Sequence, residues 1–201
     1  MISAVFRTIS LTLAVLAFTL STVAVQAAEL KPNDVVPVMD GQVLSRIAIV
    51  EGQKDMTVIQ YVADNESFQK WNRLVVYSNV RSEEVGNDPK NLVLRLVAAL
   101  QQRTPGAKYK VAGTEDGQTV LLDFLTWAAD KSYLEFTVYR LEKGAEGKGV
   151  YSVQMTRRLP YFDEITDDVK KTMIVTRASM LEQVAKFNMP KVKELLDAQA
   201  K

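Results

Sequence analysis

The chain has 201 residues, with 25 basic and 24 acidic side chains and with neither cysteine nor histidine. The two missing residue types exclude Ser-His-Asp and Cys-His nucleophilic sites and the usual zinc sites, so we expect no metal ion and no other cofactor. The balanced charge argues against nucleic acid as a partner, because binding to phosphates needs an excess of basic side chains.

The N-terminal segment is typical of a secretory signal peptide. Arg7 precedes an apolar run over residues 9–25, and Val25-Gln26-Ala27 fits the small-x-small cleavage rule. The alternative is a membrane anchor, but the run is near the lower limit for crossing about 30 Å of hydrocarbon, and no basic cluster follows it. The sequence predicts a signal peptide over residues 1–27, cleavage near Ala27, and no stable membrane anchor after cleavage.

The composition of the remaining chain favours the bacterial periplasm. Cleavage removes one basic residue, Arg7, and no acidic one, so the mature chain has 24 of each and a formal net charge of zero. Exported eukaryotic domains more often use disulfides, which a chain without cysteine cannot form. The mature length suits one domain with its own core, which we place at residues 42–201.

The first half of the mature chain reads as an arm, three strands and a helix. Residues 28–41 contain Pro32 and Pro37 and predict an extended arm with little fixed structure. Apolar alternation over residues 42–50, 56–63 and 72–80 predicts three strands, with a single helical turn at residues 66–71. Pro89 suits the first turn of a helix over residues 89–102, and apolar residues recur there at helical spacing.

The second half predicts four strands and two helices. Residues 107–114 and 118–127 alternate as strands, and residues 131–159 form a hairpin around Lys143-Gly144-Ala145-Glu146-Gly147-Lys148. A long helix is expected at residues 163–187, capped by Thr166 or Asp163, and a short one at 192–200 after Pro190. This order predicts an α+β fold with one antiparallel sheet of six to seven strands flanked by two long helices. A cystatin-like or NTF2-like curved sheet with a ligand cavity is the alternative.

The two faces of the 131–159 hairpin differ in character. If its turn is centred between Ala145 and Glu146, Val138 lies opposite Val153, and the apolar side chains form a core face. The other face is polar and interleaved with tyrosines. If the preceding loop is the three residues 128–130, that face also receives Asp123, opposite Glu135. A change of one residue in this loop would send Asp123 to the other side of the sheet.

This second face is the candidate site. Its aromatic side chains could form the floor of a groove in which a few polar groups converge. The alternative is that a helix or loop partly covers the face and that Glu135 and Arg158 form an ordinary cross-strand ion pair. The candidate ligand- or partner-binding residues are Trp71, Asp123, Trp127, Tyr133, Glu135, Tyr139 and Arg158. For Trp71, just before a strand, a role as a core anchor is the competing interpretation.

Two classes of function remain open. In the first, the protein is a non-catalytic accessory or binding protein of the envelope, with a protein or a small ligand as its partner. In the second, it is a hydrolase that uses the paired carboxylates Asp123 and Glu135. The second requires both carboxylates on one face of the sheet.

The stretch YVADNESFQKWNRLVVYSNV, with an acidic-Ser-x-x-x-Trp turn between two strands, is similar to that of small uncharacterised exported proteins of proteobacteria. The order of elements from Val43 to Phe187 also resembles the PsbP-like fold, to which DcrB-like periplasmic proteins are assigned. The resemblance implies an antiparallel sheet with helices on both sides and an accessory or binding role in the envelope. It implies no catalytic residues.

Overall fold

The computed structural model describes residues 35–50 and 55–200. The predicted signal peptide, residues 1–27, and the first part of the predicted arm lie outside the described residues. Within the described ranges the chain forms nine strands and three helices. The strands are β1 (Val38–Met39), β2 (Gln42–Val43), β3 (Arg46–Val50), β4 (Met56–Val62), β5 (Arg73–Val80), β6 (Tyr109–Gly113), β7 (Thr119–Trp127), β8 (Tyr133–Lys143) and β9 (Val150–Pro160). The helices are α1 (Pro89–Arg103), α2 (Asp167–Ala185) and α3 (Met189–Gln199).

Seven strands form one antiparallel sheet in the order β3-β4-β5-β9-β8-β7-β6. The strands within β3-β4-β5 and within β6-β7-β8-β9 pair with their neighbours in sequence, so most pairings are local. The pairing of β5 with β9 closes the two groups into one sheet. The α+β prediction is confirmed, with seven strands as the upper end of the predicted range.

The two faces of the sheet are covered unequally. Helices α2 and α3 cover one face over an apolar core that includes Tyr77, Val138, Met155 and Met180. Helix α1 packs on the other face against β7 and β8. Its core gathers at one end of that face, around Val80, Val120, Leu141 and Val150. The opposite end of the α1 face is therefore left without a helix among the described residues.

The sequence explains where the helices start. Asp88 caps α1 by accepting a hydrogen bond from the Lys90 amide (2.9 Å), and Pro89 occupies the first turn. Thr166 caps α2, whose first turn carries two acidic residues at its positive end. Pro190 does not interrupt the chain as expected but lies in the first turn of α3, behind the cap Asn188.

The N-terminal arm is more ordered than predicted. Residues 38–43 form a tight hairpin in which Asp40 and Gly41 both have positive φ, 53° and 76°. Asp-Gly is the favoured pair for a two-residue hairpin turn of this kind. Met39 and the following Leu44 are fully buried in the core under α2 and α3. The predicted strand over residues 42–50 is accordingly two strands, β2 and β3.

The β8–β9 hairpin has a register two residues away from the prediction. Val138 pairs with Met155, not with Val153, and Glu135 pairs directly with Arg158 instead of diagonally. The tight turn is at Ala145–Lys148, where the Lys148 amide donates to the Ala145 carbonyl (2.9 Å). Because side chains alternate with a period of two, this shift leaves the predicted core and polar faces of the hairpin intact.

Candidate functional site

The uncovered half of the α1 face is a groove with a volume of about 920 Å³. Strands β4, β5, β9, β8 and β7 form its floor, and the last turn of α1 with Thr104-Pro105 forms one wall. The β4–β5 loop, which carries Phe68 and Trp71, and residues 128–130 of the β7–β8 loop form the other borders. We call this cavity the α1-face groove.

Arg158 is held between two aromatic rings at one end of the groove. Its guanidinium carbon lies 3.9 Å from the centroid of the Trp71 ring and 4.2 Å from that of Tyr133. Nε donates to Glu135 Oε1 (3.1 Å), and Nη1 donates to the Trp71 carbonyl (3.2 Å). Two ring faces and two hydrogen bonds fix the plane of the guanidinium, so Arg158 is oriented in advance of any ligand.

The β4–β5 loop positions Trp71 through its own hydrogen bonds. Glu66 Oε1 accepts from both the backbone amide (3.0 Å) and the side-chain amide (3.1 Å) of Asn72. Ser67 and Lys70 exchange backbone hydrogen bonds of 3.1 Å. The predicted single helical turn at residues 66–71 is wrong, because these contacts make a non-helical turn. Trp71 lines the groove and stacks on Arg158, which is a different role from that of a buried core anchor.

The centre of the groove floor is a chain of hydrogen-bonded side chains. Tyr139 Oη donates to Gln154 Oε1 (2.6 Å), Gln154 Nε2 donates to Thr156 Oγ1 (2.9 Å), and Thr156 Oγ1 lies 3.1 Å from Thr137 Oγ1. Burial raises the pKa of the Tyr139 phenol, so Tyr139 is a neutral donor. These contacts produce a rigid polar floor inside an otherwise apolar cleft.

Asp123 does not belong to the groove. It pairs with Val138 in the β7–β8 ladder, and Thr126 is the residue that lies opposite Glu135. Trp127 pairs with Leu134, so six residues lie between the last paired positions instead of three, and this odd shift in register turns Asp123 to the α2 side. There Arg177 binds both of its carboxylate oxygens, at 2.9 and 2.7 Å.

This geometry contradicts the arrangement that the hydrolase hypothesis requires. Asp123 and Glu135 project from opposite faces of the sheet, and each is paired with an arginine. Within residues 35–50 and 55–200, no cluster of three or more His, Cys, Asp or Glu side chains could hold a metal ion.

The other predicted site residues do come together. Trp71, Tyr133, Glu135, Tyr139 and Arg158 all line the α1-face groove. Trp127 lies opposite Leu134 at the last position of β7, on the same side of the strand as Asp123, and is 42% exposed at the edge of the groove. Of the two tryptophans in the chain, Trp71 lines the groove and Trp127 lies at its edge.

Some lining residues were not predicted from the sequence. Gln60 of β4, Leu74 and Val76 of β5, and Leu100 and Pro105 at the end of α1 also face the groove. Only the pairing of β5 with β9 brings β4 and β5 beside the hairpin. No local signal in the sequence specifies that long-range pairing.

A model of an uncharacterised protein family matches residues 48–189. The chain belongs to this family. The matched region extends from within β3 to the first residue of α3, so it includes six of the seven sheet strands in full, part of β3, α1 and the groove. A search of curated proteins found no match. None of the helices in the described residues is long and apolar enough to cross a membrane.

Proposed function

We propose that this family member binds a small ligand or a protein segment, without catalysis, in the α1-face groove. The observation that carries the proposal is that α1 covers only one half of its sheet face. The other half is an open groove of about 920 Å³, within the size range of ligand sites. An immobilised Arg158 and a hydrogen-bonded polar floor give this groove directional groups as well as apolar surface.

We place this binding role in the bacterial envelope. The signal-peptide pattern over residues 1–27 supports export to the periplasm, and the loss of that segment would leave a chain with no net formal charge. The likeness to DcrB-like proteins with a PsbP-like fold supports an accessory role on the same reasoning. The partner would be an envelope protein or a small envelope ligand.

Tryptophan emission provides a direct test. Because Trp71 lines the groove and stacks on Arg158, a ligand that enters the groove changes the tryptophan emission of the purified protein. We expect a saturable change with at least one of three probe classes: short peptides, oligosaccharides and acyl amphiphiles.

A matched pair of variants distinguishes binding in the groove from binding elsewhere on the surface. Leu74 lines the groove floor, so Leu74→Phe narrows the groove and should weaken binding several-fold. Leu94 lies on α1 with 68% of its side chain exposed, so Leu94→Phe should leave binding unchanged. The proposal is wrong if no probe class changes the emission, or if both variants weaken binding equally.

A further inference from the structure

Gln60 is a polar side chain on the groove floor that has no hydrogen-bond partner among the described residues. Only 8% of it is exposed, and it lines the groove floor in the middle of β4. Its side chain makes no hydrogen bond with any residue in the ranges 35–50 and 55–200. The Gln60 amide atoms are not among the fully buried polar atoms without a partner, so they remain accessible from the groove and leave a donor and an acceptor for a molecule that enters it.

A second donor–acceptor pair lies at the aromatic end. Arg158 uses Nε and Nη1 for Glu135 and the Trp71 carbonyl, while Nη2 has no hydrogen-bond partner in the described chain. Glu135 uses Oε1 for this ion pair, and its Oε2 is likewise without a partner there. A guanidinium has five N–H donors and a carboxylate has two acceptor oxygens, so both residues keep hydrogen-bonding capacity that faces the groove.

The strand pairing gives the distance between Gln60 and the Arg158–Glu135 pair. Gln60 pairs with Val76, and Val76 pairs with Gln154, so Gln60 is level with a residue four positions before Arg158 on β9. Four residues span about 13 Å along a strand, and two strand spacings add about 10 Å across it, which gives a diagonal of about 16 Å. An extended peptide covers that distance with about five residues.

The charge of the lining limits the occupant. The charged residues around the groove are Arg103, Arg158, Asp130 and Glu135, two of each sign. A strongly anionic or cationic ligand therefore gains no net attraction. Each of the two sites offers one donor with one acceptor, which matches the C=O and N–H of a backbone amide. The side chains of Phe68 and Trp71 provide apolar surface beside them.

We propose that the α1-face groove binds a short, electrically neutral, extended peptide segment. One backbone amide of the peptide is hydrogen-bonded to the Gln60 carboxamide, and a second, about five residues away, to Arg158 and Glu135. This inference rests on the proposed binding function and adds the chemical class of the ligand to it.

The test uses the side-chain N–H resonances of Gln60 and Arg158 in the isotope-labelled purified protein. The probes are a randomised pool of acetylated and amidated pentapeptides, maltopentaose, and dodecanoate. We expect the peptide pool to shift both resonances in a saturable manner. Gln60→Met keeps the volume but removes the carboxamide, and it should raise the half-saturation concentration about tenfold. Gln118→Met, at a glutamine outside the groove, should not change it.

Each remaining outcome overturns the inference in a distinct way. If maltopentaose or dodecanoate shifts the resonances and the peptide pool does not, the peptide assignment is wrong while the binding function stands. If the pool binds but Gln60→Met is neutral, the two-point contact is wrong. If none of the three probes shifts either resonance, the peptide assignment and the proposed binding function are both contradicted.

Discussion

Replacing Arg158 by lysine tests whether the aromatic clamp organises the groove. Lysine keeps the positive charge and can still approach Glu135, but it cannot lie flat between Trp71 and Tyr133. It also cannot maintain the 3.2 Å hydrogen bond to the Trp71 carbonyl from the same position. A hydrogen bond to a charged group contributes about 1.5–3 kcal/mol, and each cation–π contact contributes about 0.5–2 kcal/mol.

Lysine retains part of the hydrogen-bond contribution and part of the cation–π contribution. We therefore expect Arg158→Lys to lower the free energy of unfolding by about 2 kcal/mol. The neighbouring Arg157→Lys is the matched control. Arg157 points to the other face, where it forms a 3.1 Å ion pair with Asp40 and is 31% exposed. Pairs of that kind contribute less than about 1 kcal/mol.

Urea unfolding followed by far-UV circular dichroism measures both losses, and tryptophan emission of the folded variants reports on the ring next to residue 158. We expect the emission of Arg158→Lys to change and that of Arg157→Lys to stay the same. The reasoning is refuted if the two variants lose equal stability, or if Arg158→Lys leaves the emission unchanged.

Three further predictions follow from other contacts. Gly149→Ala should lower the free energy of unfolding by more than about 2 kcal/mol, because the new Cβ would clash with the Val80 carbonyl oxygen of β5. Gly147→Ala, also at positive φ but with open space around it, should lower the free energy of unfolding by only about 1 kcal/mol in the same urea assay. Arg177→Met should destabilise more than the double variant with Asp123→Leu, since the single change leaves a buried carboxylate without its partner; a double-mutant cycle with no coupling would contradict this. Burial raises the pKa of Tyr139, so the folded state holds that proton more tightly than the unfolded state. The free energy of unfolding should therefore be insensitive to this group below about pH 10 and fall as the pH rises above it, and Tyr139→Phe should make that alkaline decline shallower.

The sequence is sufficient to predict most elements and the two faces of the β8–β9 hairpin. Alternation alone separates Phe136 and Val138 from Glu135 and Arg158, and the structure places them on opposite faces as expected. The assignment of side chains to the two faces is robust, because an error of two residues in register does not change it. Five of the seven candidate residues line one groove in the structure, and Trp127 lies at its border.

The errors come from loop lengths, which alternation does not determine. The β7–β8 connection has five residues, with Lys131 at a positive φ of 56°, instead of three. Trp127 therefore pairs with Leu134 instead of Lys131, and this odd shift of three in register moved Asp123 to the other face and removed the carboxylate pair. At the N-terminus, Pro32 and Pro37 favoured an unstructured arm in the prediction. The Asp40-Gly41 pair is a strong local signal for a hairpin turn, and the prediction did not include that turn.

The groove itself could not be predicted from local patterns. It exists because α1 is only 15 residues long and packs at one end of its sheet face. It also depends on β5 lying beside β9, a pairing between residues far apart in the sequence. Both are properties of the assembled sheet, and they bring Gln60 and Leu74 to a site that the hairpin alone only partly defines.

Mapping backbone amide chemical-shift changes over the whole domain tests the central claim most directly. With a probe that changes the tryptophan emission, the account predicts that the shifted amides cluster on β4, β5, β8 and β9 around Gln60, Leu74, Glu135 and Arg158. It predicts no comparable cluster on α2 and α3. Shifts concentrated on the α2–α3 face, or spread evenly over the domain, would contradict the claim that the α1-face groove is the binding site.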